Sequence, residues 1–281
     1  MPFQKNRRAL LLIKGLLDTL KVKSTFYFPA KVAEELTDEV KMLVGDGHEI
    51  GCHGLTHDST EEFDKLKKEK QIQILKTATQ ILQSTAQCSI KSFRGPRVKT
   101  SHVTQEILET LGYTSDSSVC SQRLDLVSSN LFNFGWVYSP RLPYHPHIAS
   151  PYRRGSRNLW VVPVSSIVLP FISSTLYTFR SNVMKIFFSV LYLEAKYTGK
   201  PIVYLAHPYE FIDKSFTRNR NQLSMLQSIR THGFPFRRKL YEKNKTKRRN
   251  LNYDLLSYIK SFPDVRFLSV SEFIESNLLK I

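Results

Sequence analysis

The sequence predicts an α/β fold, a parallel sheet of a kind that suits a barrel with its working side chains at the carboxyl ends of the strands. Two observations predict it. Strand-like and helix-like segments alternate through the first half of the chain, the pattern of a parallel sheet. Three polar clusters, His53-Gly54-Leu55-Thr56-His57, Phe93-Arg94-Gly95-Pro96-Arg97 and Leu205-Ala206-His207-Pro208-Tyr209-Glu210, are each joined to an apolar strand-like run. A barrel of this class carries its site there.

The elements follow in order. Residues 8–20 read as a helix, because Ile13, Leu16, Leu17 and Leu20 have helical spacing. Residues 24–29 are aromatic and β-type and read as a strand. A helix follows over 37–44, started by Thr37-Asp38-Glu39, then a short strand over 49–52. Residues 61–84 form a long helical pattern, 91–94 a strand, 104–111 a helix stopped by Gly112, and 113–118 a strand. Residues 121–158 hold several prolines and little periodicity and read as loops. The run 159–164 reads as a strand whose Pro163 suits only an edge or an end. Residues 175–197 read as a helix and 201–206 as a buried strand. Residues 218–250 are strongly basic and read as a solvated, partly mobile region. A helix over 253–261, a strand over 265–268 and a helix over 271–279 close the chain.

The 281 residues fit one large α/β domain or two small ones, and 41% hydrophobic content is enough for a core, which argues against a disordered chain. The net charge of +17 favours anionic partners: nucleic acid, anionic lipid or acidic glycan. The basic run from Arg237-Arg238-Lys239 to Lys247-Arg248-Arg249 comes without a nucleic-acid-binding motif, so no specific nucleic-acid partner is expected; an anionic membrane surface is the milder reading. Cys52, Cys88 and Cys120 make no disulfide framework and suit reduced thiols in the cytoplasm. Cys52 abuts His53, but neighbours on a strand face opposite ways, which sends it into the core. The run Ala9 to Ile13 is broken by Lys14, too short for a signal peptide, and nothing reaches the length of a membrane-spanning helix.

The clusters carry the chemistry. Two histidines four apart after a strand can hold Zn²⁺ or a related ion, although H-x-x-x-H alone is a weak signal. Such an ion polarises a carbonyl and lowers the pKa of water. His207 has the intrinsic pKa to give a proton to a leaving group near neutrality; the alternative is a core histidine bonded to backbone. Arg94 could hold a carboxylate through its planar fork, with Arg97 competing for the role. Asp116 could orient an imidazole or an arginine, or serve as a turn carboxylate.

These residues resemble the polysaccharide deacetylases, the NodB-homology group of carbohydrate esterases. Gly47-His48-Glu49-Ile50-Gly51-Cys52-His53-Gly54-Leu55-Thr56-His57 resembles the H-[ST]-x-x-H motif with its G-H-E-I-G lead-in, in the form with glycine at position 54. Arg94-Gly95-Pro96 resembles R-x-P-[YF], with Arg97 in place of the aromatic residue, and Leu205-Ala206-His207-Pro208 resembles L-x-H-P. Val22 to Phe28 resembles the V-K-A-T-F-F strand, and Gly112-Tyr113 with Asp116-Ser117-Ser118 the fourth motif region without its tryptophan. The resemblance runs from about residue 8 to 275. It implies a single distorted (β/α) barrel of the deacetylase type over 1–281 that removes acetyl from an N-acetylated sugar of a polysaccharide or glycolipid, with a divalent metal, zinc by expectation. His53 and His57 are the implied ligands. Arg94 would steer the base, His207 would protonate the leaving amine, and Pro96, Pro208 and Tyr209 are implied substrate contacts. A cytoplasmic location, peripheral to the membrane, goes with this reading.

The family's first motif, T-F-D-D, supplies the third ligand and the base, and it should precede the helix at 8–20. Only seven residues stand there, and none is acidic. Either the first strand lies upstream of Met1, or this is a variant without the base. The first is expected, because a closed barrel without that strand would expose neighbouring edges. The second gives a catalytically inactive relative that binds carbohydrate or glycolipid.

Overall fold

A computed structural model describes residues 2–58, 60–123, 133–212 and 247–278. The chain divides into two compact units. One comprises Val22–Cys120, Ser139–Pro163 and Phe267–Ile281, and the other Met1–Lys21, Ser121–Tyr138 and Val164–Arg266.

The first unit is built on a five-stranded parallel sheet. β1 (Thr25–Phe28) pairs with β2 (Glu49–Cys52), β2 with β3 (Ser92–Phe93), β3 with β4 (Ser115–Asp116), and β4 with β7 (Trp160–Val161). The end position of β7 suits Pro163, which has no N–H to give a further neighbour. The strands are short and in register. Phe28, Cys52, Phe93, Asp116 and Val161 form one row across the sheet. The ladder then runs one step past the strand ends, with His53 N–H on Phe28 O at 2.8 Å, Arg94 N–H on Cys52 O at 2.9 Å and Ser117 N–H on Phe93 O at 2.8 Å. His53, Arg94 and Ser117 therefore leave the sheet side by side, although 23 to 64 positions separate them in sequence.

Helices α2 (Ala30–Glu35), α3 (Thr37–Gly45), α4 (Lys68–Ala86) and α5 (His102–Thr110) connect these strands. Their apolar faces bury Val40, Leu43, Leu75, Leu82 and Leu108. At α5 the Ser101 hydroxyl accepts the Thr104 N–H, and the Thr104 hydroxyl accepts the Ser101 N–H, a reciprocal cap. The helix expected over 61–84 starts later, at Lys68. Glu61 and Glu62 are engaged elsewhere: Glu61 accepts loop amides of 55–57, and Glu62 pairs with Arg97, Lys99 and Lys65. The stretch expected as loops contains α6 (Phe134–Tyr138) and the hairpin β5 (Pro146–His147) and β6 (Ser150–Arg154).

In the second unit, α1 (Pro2–Leu20), α7 (Ser173–Thr198) and α8 (Arg248–Lys260) pack with a 3-10 turn at Pro208–Phe211. α1 buries Ala9, Leu10, Leu16, Leu17 and Leu20, close to the face its spacing predicts. Phe188 and Tyr192 of α7 interlock with Tyr258 of α8 and with Phe262, just past its end, with centroids 4.7–6.1 Å apart. α7 bends at Arg180, whose φ of 67° breaks the helical ladder. A short hairpin, β8 (Ser166–Ile167) and β9 (Leu169–Pro170), precedes it.

Two expected strands are corrected. Residues 201–206 form one isolated bridge, Leu205 with Ile172, and no strand. Val203 gives its N–H to the Ser165 hydroxyl at 2.9 Å and Leu205 to Phe171 O at 3.4 Å, acceptors that stand on either side of the β8–β9 hairpin, so no ladder propagates. Residues 201–204 are half-buried rather than buried. Residues 265–268 also lack a ladder; just beyond them Val270 gives its N–H to the Thr25 hydroxyl and Ser271 to Glu49, ahead of α9 (Val270–Leu278). The basic region expected over 218–250 lies outside the described residues as far as 246; Arg248 opens α8.

Candidate metal and catalytic site

The histidine pair sits where β2 ends. Gly54 turns the chain at φ +79°, and His57 itself lies in the left-handed region at φ 63°. The two imidazole centroids are 4.9 Å apart, their planes inclined by 47°. His53 is half-buried and its Nδ1 lies 2.5 Å from the Arg94 carbonyl oxygen. A carbonyl only accepts, so Nδ1 carries the proton and Nε2 the lone pair. That is the arrangement in which a metal-ligating histidine is held by a backbone oxygen.

The loop between the histidines is held by Glu61, a residue the sequence reading passed over. Its carboxylate is 3% exposed and accepts the N–H groups of Leu55 (3.1 Å), Thr56 (2.9 Å) and His57 (3.1 Å), together with the Thr56 hydroxyl (2.9 Å). Three successive amides converging on one carboxylate form an anion nest. Asp58, directly after His57, accepts from Thr56 and Thr60 at the surface. Those bonds, Thr60's first, hold its carboxyl down at about 2. Cys52 lies in the core, and burial pushes its thiol up to about 11.

Arg94 is buried at the end of β3. Its Nε donates to the Ser117 carbonyl at 3.2 Å and its Nη2 to the Ser117 hydroxyl at 2.7 Å. The Ser117 hydroxyl donates in turn to Val162 O at 2.8 Å. The guanidinium lies 4.4 Å from the Tyr27 ring centroid. Burial lowers its pKa, while Tyr27 and Asp116 act the other way. Arg97, the alternative, pairs instead with Glu62. The sequence places Ser117 and Tyr27 in motif-like segments but does not pair them with Arg94; the strand register brings them there.

Asp116 is fully buried at the end of β4. It accepts from Thr100 (2.8 Å), from Gln105 (3.1 Å), and from the Ser118 amide (2.9 Å) and hydroxyl. Burial raises its pKa against those bonds. Its hydrogen bonds thus go to neutral groups, and the orienting of Arg94 falls to Ser117. Ser118 hydroxyl also receives the Gly95 N–H at 2.7 Å, which ties the Arg94-Gly95-Pro96 turn to the Asp116 loop. Pro96 is buried at the head of a 3-10 turn, beside Gly54.

His207, Pro208 and Tyr209 belong to the second unit. Pro208 opens the 3-10 turn and Tyr209 is 58% exposed. Glu210 is 2% exposed and accepts the Ser173 hydroxyl and, at 3.2 Å, the His207 N–H. Its Oε1 stands 3.8 Å from His207 Nδ1. Burial works to raise the Glu210 pKa, but His207 and Ser173 bring it below the usual carboxylate value.

Two imidazoles, one of them held by a backbone carbonyl, fit a borderline divalent cation. A catalytic site of this kind takes three protein ligands. Among the described residues no group of three His, Cys, Asp or Glu side chains is arranged to hold an ion. The pair therefore fits a partial site. No helix among the described residues is long and apolar enough to cross a membrane.

Residues 12–115 match the family model of polysaccharide deacetylases. A comparison with curated proteins gave no match. Among solved structures, a protein from Mycobacterium smegmatis described as a polysaccharide deacetylase aligns with a TM-score of 0.64 and 17% identity, over 99% of this chain and 79% of that one. A protein from Pseudomonas aeruginosa PAO1 described in the same terms gives 0.57 and 17%, over 96% and 73%. An allantoinase gives 0.56 and 16%, over 96% and 72%. These likenesses establish the fold expected from the sequence, an α/β fold on a parallel sheet of the deacetylase type.

Proposed function

We propose that this chain, which has the deacetylase fold and the family's signature over residues 12–115, is a metal-dependent hydrolase of the N-acetyl group of an amino sugar in a polysaccharide or glycolipid. One observation carries the reading. The Arg94 carbonyl fixes the tautomer of His53, so two motifs 41 positions apart meet in one ligand-orienting bond. Packing alone does not require that bond.

In this reading His53 and His57 hold the cation, zinc in our assignment. When bound, such an ion acts as a Lewis acid toward an amide carbonyl and lowers the pKa of water. Arg94, anchored by Ser117 and Tyr27, supplies a fixed positive charge for a carboxylate base. His207, backed by Glu210, supplies a protonatable imidazole for the leaving amine. Pro96, Pro208 and Tyr209 belong to substrate contact. The +17 charge suits an anionic membrane surface beside a lipid-linked substrate, and the thiols Cys52, Cys88 and Cys120 suit a cytoplasmic protein.

Acetate release from N-acetylglucosamine oligomers or lipid-linked sugars, with Zn²⁺ or Co²⁺ supplied, tests the proposal. Turnover that His53→Ala leaves unchanged removes the metal role. A second reading has its own support, since no third ligand is grouped with the pair among the described residues. It is a relative that binds the saccharide without hydrolysing it. Metal-independent saccharide binding by calorimetry, with no acetate released, selects it.

A further inference from the structure

We infer that Glu61 is a positioning residue for the histidine pair, and that it occupies the place of the side chain that position 54 carries in H-[ST]-x-x-H. The inference rests on reading His53 and His57 as cation ligands.

Three observations meet here. His57 is held at φ 63°, a conformation that a non-glycine residue adopts at a cost of about 1–2 kcal/mol. The buried Glu61 carboxylate helps to hold it there, accepting its N–H at 3.1 Å. That carboxylate also takes the two preceding amides, so the whole turn from Leu55 to His57 is oriented from one point. Charge-assisted bonds of this kind are about twice as strong as neutral ones. Finally, a Cβ on Gly54 would stand 2.6 Å from Glu61 Oε2 and 3.2 Å from Pro96 Cγ. The carboxylate thus fills the space that a serine or threonine side chain would enter. A hydroxyl at 54 is placed by chemistry to accept the amide two residues on, as Ser and Thr do in turns. Glycine at 54 and glutamate at 61 are therefore one device. The small residue admits the carboxylate, and the carboxylate sets the loop that carries His57 to within 4.9 Å of His53, centroid to centroid.

The test reads cation affinity rather than activity. Zn²⁺ or Co²⁺ alone is titrated calorimetrically into the full chain and into Glu61→Ala, Glu61→Gln, Gly54→Ser, the double variant Glu61→Ala/Gly54→Ser, and His57→Ala, with circular dichroism reporting the fold. His57→Ala should abolish the wild-type binding. Glu61→Ala and Glu61→Gln should remain folded and bind about 10- to 100-fold more weakly, the usual effect of losing an orienting partner. Gly54→Ser should weaken binding in the wild type and do so by a smaller factor once Glu61 is alanine. The φ strain at 54 is common to both backgrounds, so the difference isolates the displaced carboxylate. Wild-type affinity in folded Glu61→Ala and Glu61→Gln, or fully multiplicative losses in the double variant, overturns the inference. Should Glu61→Ala not fold, Glu61→Gln against wild type decides. Cation binding that His57→Ala leaves intact overturns the ligand reading itself, and the positioning role with it.

Discussion

His53 Nδ1 and the Arg94 carbonyl oxygen stand 2.5 Å apart, a bond between the residues that immediately follow two neighbouring parallel strands. Parallel pairing makes it possible. Because Cys52 and Phe93 are partners, the next residue on each strand leaves the sheet at the same edge. Arg94 thus acts twice, with its main chain on the histidine and its side chain on Ser117. The second role can be removed without the first.

Arg94→Ala deletes both bonds to Ser117 and the contact with Tyr27. It leaves the Ser117 carbonyl without that buried donor. The expected loss is about 2–4 kcal/mol, above the range for a single neutral hydrogen bond. Arg94→Lys should recover only part of it, because an ammonium cannot reproduce the planar fork. Urea unfolding of the three proteins measures both steps, and equal stability of wild type and Arg94→Ala would count against the anchoring role.

Gly95 tolerates no side chain. A Cβ there would stand 1.9 Å from the Lys99 carbonyl oxygen, a backbone atom that cannot rotate away. Gly95→Ala must open the turn that presents Pro96, at a cost of about 1–3 kcal/mol or more. Gly112→Ala, with open space around its Cβ but φ +79°, pays only for the backbone conformation and is the control. Thermal unfolding should rank Gly95→Ala as the less stable of the two.

Glu210 gives a pH dependence with a definite sign. Its folded-state pKa is lowered, through His207 and Ser173 acting against burial. Such a group stabilises the fold fully above its unfolded pKa, near 4.3 for glutamate, and the contribution fades as pH falls through the lowered folded value. Glu210→Gln should therefore be less stable than wild type at pH 7, by about 1.5–3 kcal/mol for bonds to a charged acceptor. The gap should narrow in acid. Denaturation curves at pH 7, 4 and 3 settle it, and a gap that stays constant removes the electrostatic part.

The cysteines should separate by accessibility. Cys52 is fully buried with its thiol pushed up to about 11, Cys120 is buried, and Cys88 is half-buried. Iodoacetamide at pH 8 should modify Cys88 first in the native protein, and Cys52 and Cys120 only after unfolding, because the thiolate is the reacting form. Mass spectrometry of a time course reads the order; early labelling of Cys52 would contradict its place in the core.

The sequence by itself determined the alternation of strands and helices, the parallel sheet, the amphipathic face of α1 and the placing of the histidine, arginine and second histidine clusters at segment ends. These are local matters: periodicity, β-branched and aromatic content and glycine punctuation act within a few residues. It overreached at 201–206, where composition suggests a strand but the neighbouring segment turns off into the β8–β9 hairpin. The tertiary structure alone decided which groups hold the cluster residues. Ser117 reaches Arg94 from 23 positions away, and Asp116 binds Thr100 and Gln105 instead. Even Glu61, only four residues beyond His57, shows its role once the loop has folded back on it. The reason is that hydrogen-bond partners are set by three-dimensional approach. That approach follows from strand register and two left-handed backbone positions, which composition and spacing do not encode.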